Sequence, residues 1–202
     1  MSPLAVGRSG GDGSPRDVVA VGLGSNLGDR LDHLVAGMRD LGESMAILAC
    51  SSVYESAAVG DRDQGPFLNL VLLGTTERDP LELLAAAAEV EARSGRRRTR
   101  RWGPRTLDVD LILWGDRILD LPDLKVPHPR WTERSFVLAP LAEVGPDLVD
   151  PESGRSVAEI WEERRRVLEP AVIRYPPPSL PEPAGHGANR GGGDPRVPRG
   201  IG

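Results

Sequence analysis

In the stretch Thr106-Leu107-Asp108-Val109-Asp110-Leu111-Ile112-Leu113, which continues to Trp114, polar and apolar residues alternate as far as Leu111. Alternation with a period of two is typical of a β-strand whose two faces differ. The pattern therefore predicts a strand over 106–114. Asp108 and Asp110 would share one face of it. The opposite face, directed into the core, would carry Leu107, Val109, Leu111 and Leu113.

The two aspartates of this strand are predicted to lie side by side, with their attachment points roughly 6–7 Å apart. Carboxylates held at that distance repel one another, and a hard divalent cation relieves the repulsion. Mg²⁺ typically binds one or two carboxylates together with phosphate oxygens and water. On these residues alone, a solvent-facing strand with two ordinary acids is an equally good interpretation.

The residues before this strand predict the rest of a sheet. Apolar runs indicate three earlier strands, and apolar residues at helical spacing indicate two helices. Gly42 ends the first helix, and Asp79 and Pro80 begin the second as N-cap and first helical residue. The strands are predicted over 17–23, 45–54 and 67–75, and the first helix over 31–41.

Two more helices are predicted after the acidic strand. One is expected over about 133–144, and Ser156 with Glu159 forms a capping box that begins the other. The complete order starts with βαββαβ, which is that of the split βαβ unit. It predicts an α+β fold: a ferredoxin-like antiparallel sheet with additional C-terminal helices.

The two ends of the chain differ in composition from the part between them. Residues 1–16 are rich in Gly, Ser and Pro, and the C-terminal segment has a proline run at 176–178 and a glycine run at 191–193. Such segments bury too little apolar surface to offset the entropy of ordering. We expect one domain over 17–172, and disordered extensions over 1–16 and 173–202.

Composition excludes several classes of protein. The 202 residues suit one domain, and a net charge of −5 argues against nucleic-acid binding over the whole surface. Cys50 is the only cysteine, so an internal disulfide is excluded and a reducing compartment fits. No apolar run reaches the ~20 residues of a membrane helix, and the N-terminus lacks the apolar core of a signal peptide. The expectation is a cytoplasmic monomer that binds neither nucleic acid nor a membrane.

Arginines are concentrated just before the acidic strand. Residues 93–105 contain seven of them, several times the chain average, and glycines and a proline within this segment indicate a loop. Guanidinium groups bind phosphate oxygens in a bidentate fork. The loop can therefore hold a polyphosphate, and a solvated basic loop is the alternative. His128 and Arg134 follow the strand and can add phosphate contacts, although a lone histidine is more often structural.

Aromatic residues are few in this chain, so those beside polar segments are candidates for stacking on a flat heterocycle. Phe67, Trp102 and Phe136 are of this kind, with an ordinary core position as the alternative for each. Asn69 lies two residues after Phe67 on the same predicted strand face. Its amide offers a donor and an acceptor together, as a group that reads a ring edge would.

The segment 101–111, Arg-Trp-Gly-Pro-Arg-Thr-Leu-Asp-Val-Asp-Leu, resembles the signature of the 6-hydroxymethyl-7,8-dihydropterin pyrophosphokinase family. Four further segments and one spacing match the same family: Gly24-Ser25-Asn26-Leu27-Gly28-Asp29, Phe67-Leu68-Asn69, Gly95-Arg96-Arg97-Arg98, Val126-Pro127-His128-Pro129 and the pair Arg134-x-Phe136. The resemblance covers about residues 17–170. It departs from the family at 56–60, where Ser-Ala-Ala-Val-Gly lacks the proline of the usual Thr-x-Pro-x-Gly.

The resemblance implies an ATP-binding transferase of folate biosynthesis, a kinase that moves a diphosphate from ATP to the 6-hydroxymethyl group of the pterin and releases AMP. It implies two Mg²⁺ ions bound by Asp108 and Asp110, which would act as catalytic residues with Arg96 and Arg105. The residues implied to bind ATP are Arg98, Leu111, His128 and Arg134. Those implied to bind the pterin are Phe67, Asn69, Trp102 and Phe136.

Two other functions remain open on the sequence. RNA-binding modules of the RRM type share the βαββαβ order, but they need aromatic residues on the first and third strands. The predicted first strand, 17–23, has none. A family member that binds its substrates without turnover is the other alternative, although the acids and arginines of the family motif are all present.

Overall fold

A computed structural model of the protein describes residues 18–58, 64–95, 103–168 and 171–175. Its strands are β1 Val18–Ser25, β2 Ala46–Cys50, β3 Tyr54–Ser56, β4 Phe67–Thr75, β5 Asp108–Trp114, β6 Leu119–Asp120, β7 Lys125–Val126 and β8 Val172–Arg174. Its helices are α1 Arg30–Leu41, α2 Pro80–Arg93, α3 Ser135–Val144 and α4 Val157–Arg164, with a 3₁₀ turn over Trp131–Glu133.

The main sheet has the strand order β5-β1-β4-β3-β8, and β2 pairs with β4 beside β3. Its described pairings are antiparallel. Taking β2 and β3 together as the second strand of the unit, the order is that of a split βαβ sheet. The prediction of a ferredoxin-like α+β fold is confirmed. Strands β6 and β7 form a separate hairpin.

Helices cover both faces of this sheet. Between the sheet and helices α1 and α2 lies a first core, which includes Val21, Leu34, Leu72, Leu83 and Leu111. On the opposite face, α3 and α4 form a second core with residues such as Val71, Ile112, Leu138, Leu141 and Ile160. The predicted C-terminal helices therefore close the second face. No helix in the described part of the chain is long and apolar enough to span a membrane.

Both predicted helix starts are confirmed by their hydrogen bonds. The Asp79 carboxylate accepts from the N–H groups of Leu81 and Glu82 at 2.9 and 2.8 Å, and the Glu82 carboxylate accepts from the Asp79 N–H. Ser156 and Glu159 form the same reciprocal pair at the start of α4. Each cap satisfies N–H groups that the helix itself leaves unpaired and contributes about 1 kcal/mol.

The second predicted strand, 45–54, is wrong as a single element. It divides into β2 and β3 because a side chain replaces the backbone partner at Ser51. The Val71 N–H donates to the Ser51 hydroxyl at 2.9 Å, whereas the Ser51 N–H donates to the Val71 carbonyl at 2.9 Å. The acidic strand also begins two residues later than predicted, at Asp108.

A β-bulge changes the faces of the acidic strand. Ala20 pairs with Leu113 and Val21 pairs with Leu111, so Ile112 is an extra residue on β5. Leu113 consequently packs in the second core with Ile112. The prediction that Leu113 faces the same core as Val109 and Leu111 is therefore wrong.

The C-terminal strand was not predicted. Residues 172–174 pair with β3, and the Tyr175 N–H donates to the Val53 carbonyl at 2.8 Å. The expected boundary at residue 172 therefore falls inside a strand, and 173–175 belong to the fold. The predicted disorder of 1–16 and of 176–202 concerns residues outside the described ranges.

The outer edge of β5 is occupied by two contacts from outside the sheet. The Val109 N–H donates to the buried Glu91 carboxylate at 2.9 Å. The His128 N–H donates to the Ile112 carbonyl at 2.9 Å. These contacts attach α2 and the segment after β7 to the strand that carries the acid pair.

Candidate active site

The sheet register places four of its residues in one row. Tyr54 on β3 is opposite Asn69 on β4, which is opposite Gly24 on β1, which is opposite Asp108 on β5. Cross-strand partners direct their side chains to the same face. This face, which α3 covers in part, is called the site face below. It brings the predicted pterin-reading amide and an aspartate into one line.

The central strand contributes no side chain to this part of the site face. Gly24 is the neighbour of Asp108, and Gly22 is the neighbour of Asp110. A Cβ atom added at Gly24 would lie 3.1 Å from the Asn69 Oδ1, and one added at Gly22 would lie 3.1 Å from the Ile112 Cδ1. Side chains of the two flanking strands therefore lie over these glycines, and this part of the site face, between the acids and Asn69, is called the strip over β1.

The acid pair is surrounded by cations. Arg105 forms an ion pair with Asp108, and the Arg134 Nη1 lies 3.6 Å from the Asp110 Oδ2. Although 41% of the Asp110 side chain is open to solvent, desolvation by the surrounding protein and the charge of Asp108 raise its pKa above the ordinary value. The charge of His128 in its protonated form and those of Arg134 and Arg105 oppose this shift. The raised pKa thus reflects first the loss of solvent around Asp110 and then its repulsion by Asp108.

His128 lies beside the same carboxylate. Burial lowers its pKa, Asp110 opposes that shift, and the charges of Arg134 and Arg130 add to it. Its ring is oriented by a hydrogen bond from the Arg130 N–H to Nδ1 at 3.2 Å. A neutral imidazole that accepts at Nδ1 carries its proton on Nε2, so His128 presents an N–H donor near Asp110.

The predicted pterin residues lie further along the site face. Asn69 is 6% exposed, and its Nδ2 donates to the Ser56 hydroxyl at 3.1 Å. Phe67 pairs with Ser56 on the neighbouring strand. Phe136, at the start of α3, lies beneath the Arg134 guanidinium, whose carbon is 5.7 Å from the ring centroid. Arg134 therefore links the acid pair to an aromatic ring.

Of the remaining predicted residues, Leu111 alone lies within the described part of the chain. Leu111 is 4% exposed and its side chain lies in the first core. Since this is the face opposite Asp110, a contact of Leu111 with ATP would use its backbone. Arg96, Arg98 and Trp102 lie outside the described residues, and their roles stay predictions.

Asn26 was matched within a family segment but given no role. It is 8% exposed, and its Oδ1 accepts from the Arg105 N–H at 2.7 Å while its Nδ2 donates to the Gln64 Oε1 at 3.0 Å. One amide thus ties the end of β1 to the segments before β4 and before β5. Its place in a segment that matches the family, just after the predicted first strand, is the signal that the sequence offers for it.

Comparison with known proteins identifies the family. The family model described as 7,8-dihydro-6-hydroxymethylpterin-pyrophosphokinase matches residues 20–146. Proteins named 2-amino-4-hydroxy-6-hydroxymethyldihydropteridine pyrophosphokinase are similar over most of their length. The one from Pseudomonas aeruginosa is 44% identical over 145 residues, covering 70% of this chain and 88% of the relative. The one from Bacillus subtilis is 38% identical over 159 residues, covering 76% and 95%.

Solved structures support the fold. Wild-type HPPK-DHPS of Plasmodium falciparum with pteroate superposes with a TM-score of 0.59 at 12% identity, over 75% of this chain. The match spans 45% of that longer chain. At this identity the likeness concerns the fold alone, and the family assignment rests on the model match and the relatives. The chain belongs to the 7,8-dihydro-6-hydroxymethylpterin-pyrophosphokinase family.

Proposed function

We propose that the strip over β1 holds the two substrates of the family's reaction side by side. As a member of this family, the chain is an ATP-dependent pterin diphosphokinase of folate biosynthesis. It transfers a diphosphate group from ATP, its co-substrate, to the 6-hydroxymethyl group of 6-hydroxymethyl-7,8-dihydropterin, and it releases AMP. The proposal concerns which residues do this and how.

One observation carries the assignment of the two half-sites. Asn69 and Asp108 lie in one row, separated by Gly24 alone, so their strands are two sheet spacings apart, roughly 9–10 Å. A pterin held at Asn69 would direct its substituent across the glycines toward the acid pair. The rigid sheet, and no mobile segment, would set the distance between the two substrates.

The acid pair fits Mg²⁺. Asp108 and Asp110 share a face, repel one another, and have glycines as their neighbours on β1. No group of three or more His, Cys, Asp or Glu side chains suited to a metal occurs among the described residues, so phosphate oxygens and water would complete the coordination. We infer two Mg²⁺ ions here. When bound, they would neutralise the charge of the phosphate oxygens.

The cations would hold the triphosphate. Arg105 and Arg134 pair with the two aspartates in the protein without ligand. Phosphate oxygens compete well for guanidinium groups, so both arginines would turn to ATP once Mg²⁺ neutralises the acids. The His128 Nε2–H would donate to a phosphate oxygen, and Arg96 and Arg98 would add charge from their loop.

The aromatic residues would hold the pterin ring between Phe67 and Phe136, with Asn69 at its edge and Trp102 closing over the site. The substrate hydroxyl oxygen would then attack the β-phosphorus in line. A new O–P bond forms as the hydroxyl loses its proton to water, the bond from the β-phosphorus to the α–β bridging oxygen breaks, and AMP leaves with that oxygen. Positioning and charge neutralisation would supply most of the rate.

The decisive experiment is an assay of AMP release with ATP, Mg²⁺ and the reduced pterin. We expect saturable turnover that disappears when either substrate or Mg²⁺ is omitted. AMP release independent of the pterin would contradict the proposal. A titration with single-stranded RNA tests the RRM alternative, which the glycines on β1 already disfavour because stacking needs aromatic side chains there.

We also propose that the enzyme acts as a cytoplasmic monomer, bound to neither nucleic acid nor a membrane. The large exposed apolar side chains of the described residues, among them Val35, Leu48, Leu81 and Ile118, belong to different segments. Sedimentation at micromolar concentration should give the mass of one chain.

A further inference from the structure

Glu143, near the end of α3, joins three parts of the fold. Its Oε2 accepts from the Ser52 N–H at 3.0 Å and from the Tyr54 hydroxyl at 3.1 Å, and its Oε1 accepts from the Ser52 hydroxyl at 2.9 Å. Arg174 on β8 completes the set with an ion pair. Burial alone would raise the pKa of Glu143, but these hydrogen bonds hold it below its ordinary value. The carboxylate is therefore a fixed, charged acceptor.

The groups that Glu143 binds lie on β3 and β8, or just before β3, at the edge of the sheet opposite β5. Strand β3 has three residues, and β8, which is largely exposed, pairs along its outside. By contrast, α3 is anchored in the second core by Leu138 and Leu141, both fully buried. Glu143 thus attaches β3 and β8, here called the outer arm, to a fixed helix.

Apolar packing contributes little to holding the outer arm where the arm faces α4. A cavity of about 480 Å³ lies between α3, the outer arm and the end of α4, and Tyr54, Glu143, Trp161 and Arg165 are among its lining residues. Apolar contacts that would otherwise set the position of the arm are missing where the cavity lies. On this side of the outer arm, the hydrogen bonds of Glu143 therefore add to the pairing of β3 with β4 in setting the position of the arm.

The outer arm leads directly to the pterin half of the site. Strand β3 ends at Ser56, whose hydroxyl accepts from the Asn69 Nδ2 at 3.1 Å. Tyr54 stands opposite Asn69 in the same row. A shift of β3 would therefore displace the partner that fixes the Asn69 amide, while Asp108 and Asp110, two strands further away, would stay in place.

We propose that Glu143 is a positioning residue for the pterin: by fixing the outer arm to α3 it orients the Asn69 amide through Ser56. The proposal rests on the pterin site proposed above and adds a residue that touches neither substrate. Glu143 would therefore affect the affinity for the pterin, and it would have no part in the transfer of the diphosphate.

The test is Glu143→Gln, which keeps the size of the side chain but removes its charge and one acceptor. The KM for the pterin, and its Kd without nucleotide measured by pterin fluorescence, should rise about five- to tenfold, as expected for the loss of charge-assisted hydrogen bonds. The kcat and the KM for ATP should change by less than about twofold. Arg174→Gln should also raise the pterin Kd. The double variant, Glu143→Gln with Arg174→Gln, should raise it by less than the two single effects combined, because both substitutions remove the same ion pair.

Glu159→Gln is the matched control. This glutamate also accepts several hydrogen bonds, but it caps α4 away from the outer arm. It should lower the free energy of unfolding and leave the pterin Kd unchanged. If Glu143→Gln destabilises the protein yet binds pterin like the wild type, the residue is merely structural and the inference is wrong.

Two further variants keep the test decisive. Tyr54→Phe and Arg174→Gln each remove one bond, so unchanged pterin affinity in both would overturn the inference even if Glu143→Gln fails to fold. Asn69→Ala separates the inference from the site on which it depends. If Asn69→Ala weakens pterin binding and the Glu143 variants do not, only the inference fails; if Asn69→Ala has no effect, the proposed pterin site is wrong.

Discussion

Asp108 and Asn69 face the same side of the sheet from the two strands that flank β1, and only Gly24 lies between them. Their separation is therefore fixed by the backbone pairing of three strands. It does not depend on any loop. This arrangement predicts that a side chain on the residue between them would disturb the binding of the pterin at Asn69.

Gly24→Ala should weaken pterin binding. The added methyl group would lie 3.1 Å from the Asn69 Oδ1, closer than an ordinary contact, so the amide must move. Overpacking of this kind costs about 1–3 kcal/mol, and we expect the pterin Kd to rise about tenfold or more. Gly22→Ala should raise the pterin Kd less, because its methyl group would meet the Ile112 side chain at 3.1 Å and would not meet Asn69. If the two variants raised the pterin Kd equally, the contact between Gly24 and Asn69 would have no special part in pterin binding.

Replacing either aspartate should nearly abolish turnover. Asp108→Ala and Asp110→Ala remove a proposed metal ligand, and the loss of one transition-state contact costs about 3–4 kcal/mol, or roughly 10²–10³ in kcat. Pterin binding without nucleotide should change little. Asp120→Asn is the control, because that aspartate pairs with Lys125 on the separate hairpin. Turnover of either alanine variant within about threefold of the wild type would remove the metal site from the mechanism.

Asp110→Asn should stabilise the free protein while it inactivates the enzyme. Desolvation and Asp108 raise the pKa of Asp110 in the folded state. The folded protein therefore holds this proton more tightly than the unfolded chain, and its stability falls as the pH rises from the unfolded value of about 3.9 through the raised one. Asparagine has no such penalty. The measurement is urea unfolding in the presence of EDTA. At pH 7 the variant should have a higher free energy of unfolding than the wild type, and this difference should shrink as the pH is lowered toward 4.

The C-terminal limit of the domain should lie at Tyr175. A chain of residues 16–175 should unfold cooperatively and turn over like the full protein, because neither tail has core-forming periodicity. A chain that ends at residue 170 lacks β8 and with it Arg174, the ion-pair partner of Glu143. It should have a lower free energy of unfolding and a higher KM for the pterin. Loss of cooperative unfolding in 16–175 would show that a tail contributes to the core.

The features predicted correctly are those with a local cause. The bounds of β4, Phe67–Thr75, follow from one continuous apolar run. The start of α2 follows from two adjacent residues, Asp79 as N-cap and Pro80 as the first helical residue. The alternation at 108–111 places the two aspartates together, because β5 is regular there. Where the bulge at Ile112 interrupts the strand, the same alternation predicts the wrong face for Leu113.

The features that were missed depend on partners far apart along the chain. Glu143 and Ser52 are 91 residues apart, and nothing in either segment marks them as partners. Strand β8 is three residues long and exists as a strand only beside β3. The Asn69–Ser56 contact likewise needs the pairing of β3 and β4. Such contacts are set by tertiary packing, which overrides local preference.

The contacts on the outer edge of β5 have a consequence for aggregation. An open strand edge offers unpaired N–H and C=O groups to strands of other molecules. Here Glu91 and His128 already occupy two of these groups, at Val109 and Ile112. A foreign strand that paired along this edge would displace the His128 backbone, and with it the imidazole beside Asp110. Protection from edge-to-edge association and the placement of a phosphate-binding side chain thus depend on the same hydrogen bond.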